Sequence, residues 1–151
     1  MKYSKGNLKR IFTVRLEDGD IVHECLEELA RREGIRAAAV IAVGGADTGS
    51  TLVVGPEKGR GQLPVSPQKI TLDDVHEVVG TGTIFPDEDG NPLIHMHMAC
   101  GRNNETVTGC IREGVKTWHI IEAIVFEIEG ASSIRKLDTA LGFKLLEPEG
   151  D

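Results

Sequence analysis

LIHMHMACGRNNETVTGCI, spanning Leu93 to Ile111, is the stretch whose reading decides the fold. Two short apolar arms flank a polar, glycine-containing middle, Gly101-Arg102-Asn103-Asn104-Glu105, which is the pattern of an antiparallel hairpin turning near its two asparagines. A turn centred between Asn103 and Asn104 pairs residues equidistant from it, so His97 faces Cys110. His95 lies two residues back on the same side, because strand side chains alternate. Directly opposed residues carry Cβ atoms roughly 4.5–5.5 Å apart, and zinc takes nitrogen at about 2.0–2.1 Å and sulfur at about 2.3 Å. Two imidazoles and a thiolate can therefore close on one ion and leave a fourth position for water, substrate or another subunit. Burying three polar groups on one face costs free energy unless something satisfies them. Imidazole plus thiolate suits zinc, with iron, cobalt, nickel or copper as substitutes.

Met96, Met98 and Cys100 take the opposite face of the same strand, where apolar packing is expected. The run Val75 to Phe85, VHEVVGTGTIF, reads as the neighbouring strand; Gly80 and Gly82 share one of its faces, against which something bulky must pack. His76 and Glu77 point to opposite faces, so only one can address the metal. Glu77 is the candidate catalytic group, either orienting a ligand histidine or acting as general base toward water. His119 is a weaker candidate for a fourth ligand. The turn Pro86 to Pro92 is acidic but lacks the ligand ladder of a calcium loop and reads as solvated.

Further out, Lys9 to Leu16 alternates as a strand, and Asp20 stands where a helix N-cap belongs. Ile21, Val22, Cys25, Leu26, Leu29 and Ala30 then recur at helical spacing up to Gly34, with Arg31 and Arg32 placed to suit the helix dipole. His23 falls on the flank of that helix and Cys25 in its apolar stripe. Ile35 to Val43 reads as a fully buried strand ending at a Gly44-Gly45 bend, residues 47–54 as the next strand, and Gly55 to Pro67 as an exposed loop. Gln68 to Leu72 is a short strand and Arg112 to Lys116 a connector. Thr117 to Ile128, apolar on nearly both faces, is expected to be a central strand in which Glu122 needs a partner. The tail reads as a turn, a short helical piece around Asp138 to Leu141, and a strand around Phe143 to Leu146.

The totals fit one domain of 151 residues; 18 glycines with few aromatics favour strands joined by tight turns. Net charge is −7 and no run of Lys or Arg exceeds two, which counts against DNA binding, since non-specific affinity comes from phosphate neutralisation. Neither a signal peptide nor a membrane-spanning run is read, so a cytoplasmic protein is expected. Three cysteines without a C-x-x-C pair are expected to be free thiols.

Taken together, LEDGDIV entering a helix, IAVGGA, HEVVGTGTI, His95-x-His97 after a proline, TGCI and IIEAIVFEI make the chain resemble the PPC (plants and prokaryotes conserved) domain, found with AT-hooks in plants and as a stand-alone protein in archaea and bacteria. The resemblance runs from Arg10 to Leu146 and gives a domain at residues 8–147 with flexible termini at 1–7 and 148–151. It implies an α/β (α+β) single domain with a largely antiparallel mixed sheet of about seven strands, one main helix and short helical pieces. It also implies a homotrimer with glycine-rich strands near subunit contacts, and a third histidine in a GGHL-type motif. Here that motif reads Thr108-Gly109-Cys110-Ile111, which keeps metal chemistry but makes it softer. No Arg-Gly-Arg-Pro type hook is present, so the DNA association of the plant members does not transfer.

The leading expectation is a cytoplasmic, homotrimeric metal-binding protein holding zinc through His95, His97 and Cys110. The alternatives are a metal-dependent hydrolase or lyase that takes a small-molecule ligand, with Glu77 moving the proton, and a DNA-binding or transcription-associated trimer.

Overall fold

In the computed structural model, residues 1–149 are described; positions 150 and 151 of the expected C-terminal tail lie outside them. The elements follow in the order β1 (Asn7–Glu17), α1 (Val22–Glu33), β2 (Ala38–Ala46), β3 (Thr51–Pro56), β4 (Pro67–Thr71), β5 (His76–Pro86), β6 (Pro92–Arg102), β7 (Glu105–Cys110), β8 (Thr117–Glu129), β9 (Ser133–Asp138) and β10 (Phe143–Pro148). Eight strands form one sheet in the order β1-β8-β2-β5-β6-β7-β3-β4, and β9 and β10 form a separate hairpin. This is the expected α+β domain, with one strand more than the seven expected in its main sheet. Every ladder in it is antiparallel rather than mixed.

The core lies on one face of the sheet, where α1 contributes Val22, Leu26 and Ala30 against Met96, Met98, Val40 and Val125. Gly80 and Gly82 belong to this inner face: a Cβ at Gly80 would stand 2.7 Å from Met98 Cγ, and one at Gly82 2.5 Å from Met96 Cβ. The bulky neighbour of these glycines is therefore the adjacent strand of the same chain, not another subunit.

Helix α1 ends as its sequence suggests, with Gly34 in the left-handed region at φ 65°. Its start differs. Asp20 Oδ2 accepts a hydrogen bond from Glu17 N at 2.9 Å, closing the preceding turn, and the N-cap residue is Ile21 with no side-chain cap. The connector before β8 supplies an acceptor in its place, as Val115 O accepts from Val22 N at 3.0 Å. The piece expected to be helical at Asp138–Leu141 is a turn instead, because Asp138 Oδ1 accepts from Ala140 N and Leu141 N, a local side-chain pattern that competes with helix. Thus α1 is the only helix among the described residues. The strand expected at 47–54 begins at Thr51, after a turn.

β2 is buried on one face only: Val40 and Ala42 are inside, while Ile41 and Val43 are 49% and 52% exposed. β8 likewise sits between β1 and β2, off the centre of the sheet, with Glu122 on its exposed face. The carboxylate that does require a partner is Glu127, which is 4% exposed and bonds Arg10 Nε. That contact holds the Glu127 carboxyl below its usual range. The double glycine behaves as expected, marking a break in register between β2 and β8.

At Gly44 the backbone sits at φ +146°, and a Cβ there would lie 2.3 Å from Ile120 O. Gly44→Ala must therefore shift backbone as well as strain it. Expected is a loss of at least about 2 kcal/mol, read as a lower denaturant midpoint at unchanged slope.

Candidate metal centre

The site is built by the hairpin of β6 and β7. Asn103 and Asn104 both take positive φ, 49° and 67°, the signature of a two-residue primed turn that Asn tolerates better than most residues. That turn places Arg102 opposite Glu105 and, five pairs further along, His97 opposite Cys110. His95 and His97 project from the sheet's outer face, away from Met96 and Met98. Their Nε2 atoms are 3.1 Å apart and their rings meet edge to face at 73°. One ligand atom from each of His95, His97 and Cys110 lies within 4.8 Å of the others, with the histidines exposed and the cysteine buried. The sequence arithmetic thus brings together the three side chains it names.

A tetrahedral ion at the usual zinc–nitrogen length sets two nitrogen ligands about 3.3 Å apart, close to the His95–His97 separation. Two nitrogens and one sulfur are also a donor set suited to zinc. The residues fit such an ion.

Glu77 is not part of this group. It pairs with Gly101 whereas His97 pairs with Thr81, so it shares the outer face but lies four residues away, about 13 Å at the ordinary strand rise. His76 belongs to the same end of β5. His119 is two strands removed, since β2 and β5 separate β8 from β6. Its backbone N–H donates to Asp18 Oδ1 at 2.8 Å and its ring lies against Trp118. Neither Glu77 nor His119 reaches the cluster within one chain.

Two cationic residues beside the cluster go beyond the sequence expectation. Arg135, on β9, is 3% exposed; its Nε donates to Leu93 O at 3.0 Å and its Nη2 to Thr83 O and Oγ1 at 3.1 and 2.8 Å. Arg112, just past Cys110, lies over the Phe143 ring at 6.0 Å. The only sequence signal for Arg135 is its alternation with Ser133, another inward polar residue, in a strand whose composition resembles a loop. Although part of the His95 ring is open to solvent, desolvation of its enclosed part, with the charges of Arg135, His97 and Arg112, holds the imidazole below its usual range, desolvation being the largest contribution. A neutral ring is the form that ligates a metal. On the inner face, burial alone pushes the Cys100 thiol up to about 11, which suits an inert core residue. All three cysteines are free.

An antiparallel sheet over a single helix, with an imidazole–thiol cluster on its open face, defines a small domain with a preformed site. The sequence matches the Plants and Prokaryotes Conserved (PCC) domain over residues 3–129, and the chain belongs to that family. A comparison with curated proteins gives no match. Among solved structures, the fold is similar to a plant- and prokaryote-conserved protein from Pyrococcus horikoshii, with TM-score 0.83, 19% identity and 97% of each chain covered. It is similar also to a metal-containing protein from Archaeoglobus fulgidus, with TM-score 0.78, 24% identity, and 97% of this chain and 99% of that one covered. A candidate DNA-binding protein from Ralstonia eutropha JMP134 has TM-score 0.67 at 25% identity over 89% of each chain.

Because its folded-state pKa is lowered, His95 favours folding while neutral; that contribution is complete above the unfolded value near 6.5 and fades as pH falls through the folded one. In metal-free protein, the His95 ring proton observed by NMR should titrate below 6.5, and Arg135→Gln should move it upward. A titration at or above 6.5 would contradict this electrostatic account.

Proposed function

We propose that the protein is a zinc-binding homotrimer whose metal is held by His95 Nε2, His97 Nε2 and Cys110 Sγ. The observation that carries the reading is the convergence of these three side chains, each with a ligand atom within 4.8 Å of the others, on one hairpin. Support from outside the chain is that a protein of similar fold, from Archaeoglobus fulgidus, is metal-containing. Zinc bound there would supply a Lewis-acidic charge. His95, kept neutral by its surroundings, and buried Cys110 would hold it, and within one chain Glu77 lies too far away to move a proton there. Three free thiols suit a reducing compartment such as the cytoplasm, and among the described residues no helix is long and apolar enough to cross a membrane.

Self-association is supported by the outer face, and the count of three is what the family resemblance implies. Ile41, Val43, Val79 and Ile120 are 49%, 52%, 60% and 41% exposed. Ile41, Val43 and Val79, with Ile124 and Ala99, make an apolar surface continuous with His97. Such a contiguous patch marks an association surface, and packing against other copies would remove it from water while closing one side of the metal centre. DNA is the weaker partner. Many of the bases are committed to carboxylates, among them Arg10 to Glu127, Arg15 to Glu17, Arg102 to Asp74 and Lys116 to Asp47.

Protein purified without added metal should contain about one zinc per chain by elemental analysis. His97→Ala and Cys110→Ala should each weaken zinc binding on the order of a hundredfold or more, since even indirect partners of a ligand are worth about 10–100-fold; full zinc retention in both variants would refute the site. Light scattering should give three chains per particle for the wild type and a smaller particle for the Ile41→Glu, Val79→Glu double variant. A monomeric wild type would remove the trimer and leave the zinc result standing.

A further inference from the structure

Beside the metal centre, on the side away from the apolar sheet face, is a cavity of about 380 Å³ between the start of β6, the end of β7 and the β9–β10 hairpin. His95 and Cys110 of the candidate metal cluster form part of its wall, and the rest is of two kinds. Leu93, Phe143, Leu145 and Leu146 are apolar, while Arg112, Arg135 and Lys144 are cationic, and no carboxylate among the described residues lines it. On a chain of net charge −7, this is a local reversal of sign.

Lys144 is already neutralised, its Nζ lying 2.9 Å from Asp87 Oδ2. Glu113, in the adjoining pocket, is bound to Lys69. Arg112 and Arg135 have no such partner: among the described residues no carboxylate lies within ion-pairing distance of either guanidinium. Arg135 is almost wholly buried, and the hydrogen bonds it donates go to neutral oxygens from Nε and Nη2, with none from Nη1 among the described residues. An enclosed guanidinium without a counter-charge is costly. The Cys110 sulfur, if ionised, offsets one positive charge, but a divalent metal on the same sulfur would more than return it.

We propose that this cavity binds a small organic anion, a carboxylate or phosphate monoester, with its charged end between Arg112 and Arg135 and its apolar body against Leu93, Phe143 and Leu145. The arginine pair supplies charge and directed donors, as guanidinium groups do for both head groups. The apolar walls require a tail, which separates this ligand class from inorganic phosphate. The cavity shares His95 and Cys110 with the proposed metal centre, yet the anion site does not rest on that reading, because the two guanidiniums are held by backbone and by aromatic contact rather than by an ion.

The test is calorimetric titration of the full chain with hexanoate, hexyl phosphate, inorganic phosphate and the uncharged isostere hexanamide, in zinc-loaded and in chelator-treated protein. Hexanoate or hexyl phosphate should bind, with the preference between them naming the head group. Hexanamide and inorganic phosphate should each be weaker by at least about tenfold, the worth of one charge-assisted hydrogen bond. Arg112 is exposed, so Arg112→Gln should fold with unchanged melting temperature and lose about tenfold in anion affinity. For buried Arg135, a heteronuclear NMR spectrum of Arg135→Gln establishes folding before its affinity is read. Equal binding of hexanoate, hexyl phosphate and hexanamide, no binding of either organic anion, or undiminished affinity in Arg112→Gln would overturn the proposal. A protein that discriminates anions but takes up no zinc would sink the metal reading alone.

Discussion

The parity of a two-residue turn is the constraint on which the structure's chemistry depends. Asn103 and Asn104 occupy the left-handed region together, and their number fixes which residues of β6 and β7 stand opposite one another. Adding or removing one residue there would carry His97 past Cys110 and turn one arm's side chains to the other face, since strand side chains alternate. The same parity sends Met96, Met98 and Cys100 inward, where they are at most 1% exposed. One local decision therefore sets both the packing of the core and the composition of the candidate metal cluster. Gly109 supports it sterically: a Cβ there would stand 2.6 Å from Val53 O, so only a bare backbone lets β3 approach beside Cys110.

That division of the sheet into two faces explains why the chain carries more apolar residues than one core consumes. The inner face is filled by α1 and the methionines. The outer face presents Ile41, Val43, Val79 and Ile120 to solvent, outside the core that α1 covers. A β-branched run such as Ile35 to Val43 looks the same in sequence whether its second face meets a helix or another molecule, and so it reads as fully buried. The expectation for Glu122 fails for the same reason, because a carboxylate inside an apolar strand looks enclosed; the enclosed one is Glu127, five residues on, on the face that packs inward.

Legibility thus follows the range of the interaction that decides each element. The β6–β7 hairpin and the Gly34 end of α1 are settled within a few residues, and both are readable. The convergence of His95, His97 and Cys110 is readable for the same reason, as all three side chains lie on one hairpin. Asp20 and Asp138 look like helix signals, but both satisfy nearby backbone N–H groups in turns, a competition that composition alone does not resolve. β9 is hidden because Ser133, Arg135 and Asp138 make SIRKLD look like a loop. Its inward residues are polar, and Arg135 meets the backbone carbonyls of Thr83 and Leu93 instead of the apolar core. Counting strands without their register puts Glu77 near the ion, whereas the register of the β5–β6 pair is set by the Pro86–Pro92 turn at its far end.

A thiol at Cys110, where the family resemblance implies an imidazole, also bears on the electrostatics of the neighbourhood. With a divalent ion bound, a histidine there would leave two positive charges undiminished beside Arg112 and Arg135, concentrating like charges in a partly desolvated space. A thiolate removes one of them and lies close enough to Arg135 to favour its guanidinium against the lowering caused by burial. The sulfur thus offsets a buried cation that has no carboxylate of its own. What remains without a carboxylate is Arg112, an exposed residue that lines the same cavity and lies over the Phe143 ring.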